Sequence, residues 1–425
     1  MKSWSVFAGA CLLLSTTLAA AAGDWPQFRG PHRDGRSTET GLIKSWPEGS
    51  PALRWKAAGL GKGYSSVSIA GDTLYVMGTR DDQECVIALD LATQKEKWLT
   101  KIGPIFRDGQ GDGPRCTPTV DDGLVYGLGG QGQLVALSAK DGREVWRKSM
   151  SGDLGGKMMS SWGWSEAPLV DGDQLVCTPG TPASAFAALD KKTGAVRWRT
   201  TLPADLGPAG KDGAGYASIV VSEACGIRQY VSLLGRGLVG VAAKDGRYLW
   251  SYNRVASAVA NCSSPVASGD LVFGSSAYKT GSGLVTLTAA GDGIKATESY
   301  FIEPGTLQNH HGGMVLVDGF LYGGHGQNAG LPVCIELKTG RVAWRADQAP
   351  GGGSAAVLYA DGQLYFRYER GQMALIKASP DAYTLAGSFQ IGSANGKHWA
   401  HPVIHDGRLY LRDQDTLLCY DLRAK

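Results

Sequence analysis

The sequence predicts an all-β protein, an eight-bladed β-propeller of four-stranded antiparallel blades. One segment pattern recurs along most of the chain, its copies lie 43 to 52 residues apart, and glycine accounts for 61 of the 425 residues. Repeats of this length, made of four short strands with glycine-rich turns, are typical of propeller blades. With 43% hydrophobic and 19% charged residues, the composition excludes a disordered chain.

The repeated segment is a strand, a turn and a second strand that ends in an aromatic residue. Two copies have Tyr300 and Phe389 where tryptophan is expected. A large flat ring that recurs once per blade is best explained as a wedge between adjacent blades, so we expect these residues to be structural. The copies that carry tryptophan end at Trp98, Trp146, Trp198, Trp250 and Trp344.

Glycine pairs predict the turn inside each copy. Asp141-Gly142, Thr193-Gly194, Asp245-Gly246 and Thr339-Gly340 lie between the two strands. Glycine adopts the positive φ that a two-residue hairpin requires, so we predict such hairpins here. A second pair of short strands precedes each copy, as in SSPVASGDLVFGSS, which makes four strands in the unit.

The two ends of the chain predict how the ring closes. Only 36 residues follow Phe389, which is enough for three strands, and the segment ALRWKA around Trp55 has the outer-strand tryptophan without the strands that should precede it. We predict that this segment completes the last blade, because closure removes exposed sheet edges. The expected organisation is an N-terminal extension at 23–51, which packs on the ring, and a single propeller at 52–425.

The first residues predict export from the cytoplasm. Residues 1–22 combine a charged start, an apolar stretch and a run of small residues, which is the pattern of a cleaved signal peptide. A membrane anchor and a lipoprotein acylated at Cys11 are the alternatives. We therefore expect a periplasmic or secreted monomer with no transmembrane segment after cleavage. The net charge of +3, without a basic run, argues against a nucleic-acid partner.

Cysteines do not predict a disulfide framework or a zinc site. Seven remain after residue 22, no two of them are adjacent, and none belongs to a CxxC pair. Both kinds of site depend on short paired spacings. Most of these cysteines are expected to be small buried residues.

One segment carries a family resemblance. Ala188, Asp190, Thr193, Gly194 and Trp198 follow the pattern A-x-D-x-x-T-G-x-x-x-W, which resembles the repeat of the PQQ-like propeller family. That family includes secreted bacterial propellers, quinoprotein alcohol dehydrogenases and the outer-membrane assembly lipoprotein BamB. For a dehydrogenase the resemblance implies PQQ with calcium, but the chain lacks the adjacent cysteine pair of those enzymes and a CxxCH haem segment.

Loop lengths predict the working face of the propeller. The connections between blades are long, as in SMSGDLGGKMMSSWGWSE, whereas the opposite turns are short. Functional residues gather on long loops held by a rigid scaffold. Residues where the innermost strands begin should ring the central channel: Tyr64, Arg115, Trp162, Trp164, Glu166, Tyr216, Asn261, Asn309, His310, His311, His398, Trp399 and His401.

Several of these residues predict particular chemistry. His310, His398 and Glu166 are candidate catalytic bases, and His310, His311 and His325 are candidate metal ligands. The tryptophans that do not end a repeat would suit a planar or sugar-like ligand, although a packed channel plug explains them equally well.

The leading functional hypothesis is an extracytoplasmic propeller that binds a small ligand or an envelope protein on its loop-rich face, without catalysis. One alternative is a PQQ-dependent alcohol or sugar dehydrogenase. A second alternative is an outer-membrane assembly scaffold.

Overall fold

The computed structural model describes residues 23–46, 49–392 and 397–424. It is an eight-bladed propeller of four-stranded antiparallel blades, as the repeats predict. The predicted signal peptide at 1–22 lies outside the described residues. In the part of the chain that is described, no helix is long and apolar enough to cross a membrane.

Strands are numbered in chain order, and β1 (Arg36–Ser37) and β2 (Ala52–Ala57) precede the first blade. Blade 1 consists of β3 (Val67–Ala70), β4 (Thr73–Arg80), β5 (Gln83–Asp90) and β6 (Glu96–Pro104). Blade 2 consists of β7 (Thr119–Asp121), β8 (Leu124–Leu128), β9 (Gln133–Ser138) and β10 (Glu144–Ser149). Blade 3 consists of β11 (Leu169–Asp171), β12 (Gln174–Cys177), β13 (Ala187–Asp190) and β14 (Val196–Arg199).

The remaining blades follow the same order. Blade 4 consists of β15 (Val220–Ser222), β16 (Gln229–Leu234), β17 (Gly237–Ala242) and β18 (Tyr248–Tyr252), with a 3₁₀ turn at Ala224–Gly226. Blade 5 consists of β19 (Val266–Ser268), β20 (Leu271–Ser276), β21 (Gly281–Ala290) and β22 (Gly293–Ile302). Blade 6 consists of β23 (Met314–Val317), β24 (Phe320–His325), β25 (Leu331–Glu336) and β26 (Val342–Arg345). Blade 7 consists of β27 (Ala355–Ala360), β28 (Gln363–Tyr368), β29 (Gln372–Lys377) and β30 (Leu385–Gln390). Blade 8 consists of β31 (Val403–His405), β32 (Arg408–Asp413), β33 (Thr416–Asp421) and β2.

The hydrophobic core lies between neighbouring blades. The two middle strands of a blade are covered on both faces, so they read as apolar runs rather than as alternating patterns; β16 is buried along its whole length. One core cluster joins blades 7, 8 and 1 to Trp25, Leu42 and Trp46 of the N-terminal extension.

The N-terminal strand closes the ring as predicted. β2 pairs antiparallel with β33, with Trp55 opposite Cys419, and is the outermost strand of blade 8. The seam between the start and the end of the chain is therefore an ordinary sheet pairing, which removes one exposed edge.

The recurring aromatic residues act as wedges, as predicted. Trp98 of blade 1 lies against Gly142 in a turn of blade 2, where an added Cβ would come within 2.6 Å of the indole ring. Its Nε1 donates a hydrogen bond to the Ala139 carbonyl at 3.0 Å. Tyr300 repeats the arrangement with its hydroxyl, which donates to the Leu337 carbonyl at 2.7 Å.

Phe389 is not the docking aromatic of blade 7, contrary to the prediction. Its strand register places Gly387 opposite Leu375, the position that tryptophan or tyrosine occupies in the other blades. Trp46 from the N-terminal extension occupies the space of the missing docking side chain. A Cβ added to Gly387 would lie 2.8 Å from the Trp46 Cβ. The Trp46 ring lies 6.1 Å from the ring of Tyr365.

The glycine turns are also longer than predicted. Gly194 has the expected positive φ of 70°, but its N–H donates to the Asp190 carbonyl, and the N–H of Asp190 donates to the Ala195 carbonyl. Residues 191–194 therefore form a four-residue loop. The Asp190 carboxylate accepts bonds from the N–H and the hydroxyl of Thr193, which stabilises the wider turn.

The N-terminal extension crosses the channel before it reaches blade 8. Trp25 pairs with Ile69 of blade 1, and β1 pairs in parallel with β27 of blade 7. Between them, Arg29 and Arg33 adopt positive φ and are buried. Their guanidinium groups donate to main-chain carbonyls in the channel, so the extension blocks the channel from the face opposite the long loops.

The cysteines that follow residue 22 are all described and all free. Five are buried, while Cys225 and Cys262 are partly exposed. This agrees with the expectation that most of these cysteines are small buried residues.

Candidate functional site

A cavity of about 620 Å³ lies at the centre of the loop-rich face. Its lining comes from loops that lead into the innermost strands, from turns between second and third strands, and from Phe28 of the N-terminal extension. Eight of the thirteen residues predicted to ring the channel line it: Tyr64, Arg115, Trp162, Tyr216, His310, His311, Trp399 and His401.

Repeat geometry brings these residues together. Arg115, Tyr216, His310 and Trp399 each lie four residues before the innermost strand of their blade, and Tyr64 lies three residues before its strand. Equivalent positions in successive blades are related by rotation about the propeller axis. Residues far apart in sequence therefore form one ring around the mouth of the channel.

Aromatic rings form two sides of the cavity. Trp399 and Tyr64 have ring centroids 4.7 Å apart and precede blades 8 and 1. Trp162 and Tyr216 have centroids 5.9 Å apart and precede blades 3 and 4. Aromatic faces offer a large contact area to a bound molecule at small entropic cost.

The floor of the cavity includes the N-terminal extension. The Phe28 ring makes an edge contact with the imidazole of His401, with centroids 4.9 Å apart. In the same extension, the Arg33 guanidinium donates to the carbonyls of Ala167 at 2.6 Å and Ile219 at 2.7 Å, which lie at the start of blades 3 and 4. The cavity is consequently open towards the long loops and closed below.

His310 is held in a chain of hydrogen bonds on the wall. Its Nδ1 lies 2.7 Å from the Ser354 hydroxyl, and its Nε2 lies 2.8 Å from the Tyr278 hydroxyl. The Ser354 hydroxyl donates to the Gln327 carbonyl at 3.0 Å. Ser354 therefore accepts from Nδ1–H, and Nε2 is the nitrogen that accepts the Tyr278 proton.

The histidines on the wall are uncharged at neutral pH. Burial lowers the pKa of His310 to about 4, and it lowers that of His401 to about 3. Burial also holds the pKa of His311 well below its usual range, with the neighbouring His310 as a second cause. The rings of His310 and His311 stack with centroids 3.5 Å apart, which two charged imidazoles would resist.

Arg115 contributes little free charge to the cavity. Its guanidinium lies 3.1 Å from the Asp108 carboxylate, and the side chains are only 9% and 15% exposed. The guanidinium also lies over the Phe106 ring at 4.5 Å. Burial lowers its pKa, and Asp108 opposes that shift.

Three predicted residues lie behind the cavity wall and hold the loops. The Asn261 amide donates to the Leu234 carbonyl at 2.8 Å, and the Asn309 amide donates to the Gly324 carbonyl at 2.9 Å. Trp164 packs on Gly132. Each is buried, so none lines the cavity as the sequence predicted.

The other two predicted residues that do not line the cavity are candidate bases. The Glu166 carboxylate accepts the N–H of Thr178 at 2.7 Å and is 1% exposed. His398 is buried, with its Nδ1 3.2 Å from the Asp413 carboxylate. A hydrogen bond from His398 lowers the pKa of Asp413. Neither Glu166 nor His398 can reach a substrate in the cavity from this position.

The residues present do not fit PQQ with calcium. PQQ is a tricarboxylate, and the buried cation of the lining, Arg115, is already paired. Within residues 23–46, 49–392 and 397–424, no group of three or more His, Cys, Asp or Glu side chains is placed to hold a metal ion. His325, the third histidine of the predicted metal set, instead accepts the N–H of Gln308 at 3.3 Å on Nδ1.

Sequence reasoning missed two aromatic residues of the lining. Phe28 lies in the extension, whose path carries no repeat signal. Tyr278 lies between the second and third strands of blade 5, on the loop-rich face, and adopts a positive φ of 58°. A bulky residue in this strained region is uncommon and is often associated with a functional site. The available signal was an aromatic residue in the glycine-containing segment SSAYKTGSG, which directly follows an apolar strand pattern.

Comparison with known proteins agrees with this architecture. The family model for outer membrane protein assembly factor BamB matches residues 106–346. BamB of Burkholderia pseudomallei (strain K96243) is 27% identical over 226 residues, which is 51% of this chain and 50% of that protein. The chain thus spans about half the length of the curated relative it matches.

Solved structures show the same fold at low identity. BamB from Moraxella catarrhalis aligns with a TM-score of 0.60 and 14% identity, covering 88% of this chain and 98% of that one. A europium-containing methanol dehydrogenase aligns at 0.62 and 13%, covering 92% and 89%. Quinohemoprotein alcohol dehydrogenase from Comamonas testosteroni aligns at 0.61 and 14%, covering 95% and 81%.

The repeat motif, the eight closed blades and the match over residues 106–346 agree with one another. The family model covers more than half of the chain, and the chain therefore belongs to the PQQ-like propeller family described as outer membrane protein assembly factor BamB.

Proposed function

We propose that this protein is an extracytoplasmic binding propeller that takes a small molecule into the central cavity of its loop-rich face. One observation carries the proposal: a cavity of about 620 Å³, closed at its floor by Phe28, has aromatic and polar walls. This volume is in the range of small-molecule sites, which combine apolar area with a few polar groups that orient the ligand.

Binding without catalysis fits the chemistry of the lining better than an oxidoreductase does. Both ring nitrogens of His310 are engaged by Ser354 and Tyr278. The other candidate bases, Glu166 and His398, lie behind the wall. A dehydrogenase is the alternative: if added PQQ and calcium produced an absorbance change and alcohol oxidation with an artificial electron acceptor, the binding proposal would be wrong.

Retention of a ligand tests the proposal directly. Protein purified from its own host should carry a small molecule that native mass spectrometry detects, and a small-molecule extract of the host should raise the melting temperature of emptied protein. In the Trp399→Ala variant, both effects should require at least a tenfold higher ligand concentration, because the Trp399 ring forms one wall of the cavity together with Tyr64. Val196→Ala on the outer strand β14, 39% exposed, is the matched control and should leave both unchanged.

The family match favours a second candidate, a scaffold for envelope protein assembly. BamB proteins are named as outer membrane protein assembly factors, and a partner protein could use the same loops. Pull-down from an envelope fraction with Trp399→Ala and with the parent would separate the two candidates. Capture of a single assembly protein, together with the absence of any bound small molecule, would replace the proposal with this one.

A further inference from the structure

We infer that the ligand of the central cavity is an uncharged saccharide. The inference rests on the proposed function and goes further by naming the chemical class. Three features of the lining support it: balanced charge, a ring of hydroxyl donors, and two separate aromatic walls.

Charges in the lining cancel, which disfavours an ionic ligand. Arg115 is paired with Asp108 at 3.1 Å. The remaining charged residues of the lining, Glu369 and Arg370, are one acid and one base. Since the three histidines are neutral at neutral pH, the side chains that line the cavity carry no net charge with which to bind a carboxylate, a phosphate or an organic cation.

A ring of hydroxyl groups below the aromatic rings offers hydrogen-bond donors. Thr117, Ser218 and Ser264 line the cavity, and each lies two residues before the innermost strand of its blade. Thr117 Oγ1 accepts the N–H of Ser66 at 3.1 Å, and Ser218 Oγ accepts the N–H of Ala167 at 3.0 Å.

The third hydroxyl follows the same scheme, since Ser264 Oγ accepts the N–H of Ser218 at 3.3 Å. In each of these bonds the hydroxyl oxygen is the acceptor, so the O–H proton is not used in it. Among the described residues, none of these three hydroxyls donates a hydrogen bond. Their protons are therefore available to the oxygen atoms of a ligand.

Aromatic walls suit the C–H faces of sugar rings. The pair Trp399 and Tyr64 and the pair Trp162 and Tyr216 lie on different sides of the ring of blades, with Thr117 between them in chain order. A saccharide combines apolar C–H faces with many hydroxyl oxygens, so it can stack on both pairs while it accepts bonds from the donor ring. A planar tricarboxylate such as PQQ would stack, but its charges would lack partners.

A glycan array tests the inference with the full chain. We expect retention on at least one neutral oligosaccharide, with an affinity that changes less than twofold between about 0.05 and 0.5 M salt, because an uncharged ligand is not screened. Ser218→Ala with Ser264→Ala should weaken binding about tenfold, and Trp162→Ala should weaken it at least tenfold. Ser388→Ala on the exposed outer strand β30 is the matched control and should not change binding.

The outcomes separate this inference from the proposed function. Retention only on sulfated or carboxylated glycans, or binding unaffected by the cavity variants, overturns the inference. A host-derived ligand that occupies the cavity but is not a saccharide overturns it too, while the proposed function stands. If neither a glycan nor any host small molecule binds, the proposed function itself fails. Melting temperatures of all variants within a few degrees of the parent are required for these comparisons.

Discussion

At the scale of single residues, Glu166 shows how burial changes a carboxyl group that does not line the cavity. Glu166 lies behind the wall, and burial raises its pKa to about 7, with Arg33 opposing the shift. One carboxylate oxygen accepts the N–H of Thr178. The other has no hydrogen-bond partner among the described residues, which a neutral carboxylic acid tolerates better than a carboxylate does.

We predict that Glu166→Gln stabilises the protein at alkaline pH. The folded pKa of about 7 exceeds the ordinary value of 4.5, so the folded chain binds a proton that the unfolded chain has released. The free energy of unfolding therefore falls as pH rises from 4.5 to about 7. At about 1.4 kcal/mol per pKa unit, the variant should gain up to about 3 kcal/mol at pH 8 and almost nothing at pH 4.

Urea unfolding at the two pH values measures this difference, and comparison with the parent cancels the contribution of the buried histidines. Glu303→Gln is the control, because that side chain is 72% exposed. An equal gain at both pH values would contradict the assigned protonation of Glu166.

Residue placement also explains why the sequence predicted only part of the site. Position in the repeat identified Tyr64, Tyr216 and Trp399 correctly as lining residues, because the angle around the axis follows from the repeat. Whether a side chain points into the cavity or behind its wall depends on the local backbone conformation of a short loop. The repeat does not specify that conformation. Glu166, one residue after the lining residue Ser165, consequently points away from the cavity.

At the scale of elements, blade 7 shows how a repeat can lack its own wedge. Gly387 occupies the docking position, and Trp46 reaches it from more than 300 residues away in sequence. The spacing of aromatic residues predicted Phe389, because that residue is nearest to the expected interval. Phe389 instead lies two residues beyond the docking position, opposite Met373. Copies whose spacing varies between 43 and 52 residues do not resolve a displacement of two residues.

Trp46→Ala should therefore destabilise the protein as strongly as loss of a docking tryptophan. Its side chain is 7% exposed and packs on Phe389 and Tyr365, so truncation should cost about 3–5 kcal/mol. Trp162→Ala, the same chemical change at a partly exposed ring on the cavity wall, should cost about 1 kcal/mol or less. Chemical denaturation of both variants measures the difference, and equal losses would show that Trp46 is not a wedge.

At the scale of the whole molecule, the N-terminal part of the chain closes the ring twice. β2 completes blade 8 from outside, while Arg29 and Arg33 of the extension bind blades from inside the channel. The first closure followed from counting strands in the sequence. The second could not be predicted, because the partners of the arginines are main-chain carbonyls of Met314, Ala167 and Ile219, which carry no sequence signature.

The internal closure leads to the last prediction, that Arg33→Leu weakens the entire propeller. The guanidinium joins blades 3 and 4, and its loss leaves the carbonyls of Ala167 and Ile219 without a donor among the described residues, whereas the Pro168 carbonyl keeps the Thr119 hydroxyl. Each buried unpaired acceptor costs about 1–3 kcal/mol, partly offset because the burial of a charge is relieved, so we expect a net loss of about 2–4 kcal/mol. Arg143→Leu, at a side chain 84% exposed, should cost less than about 0.5 kcal/mol. Because the closed ring shares its core between neighbouring blades, the unfolding transition of Arg33→Leu should stay single and shift to lower denaturant. A separate early transition confined to the extension would instead mean that the ring is stable without its internal closure.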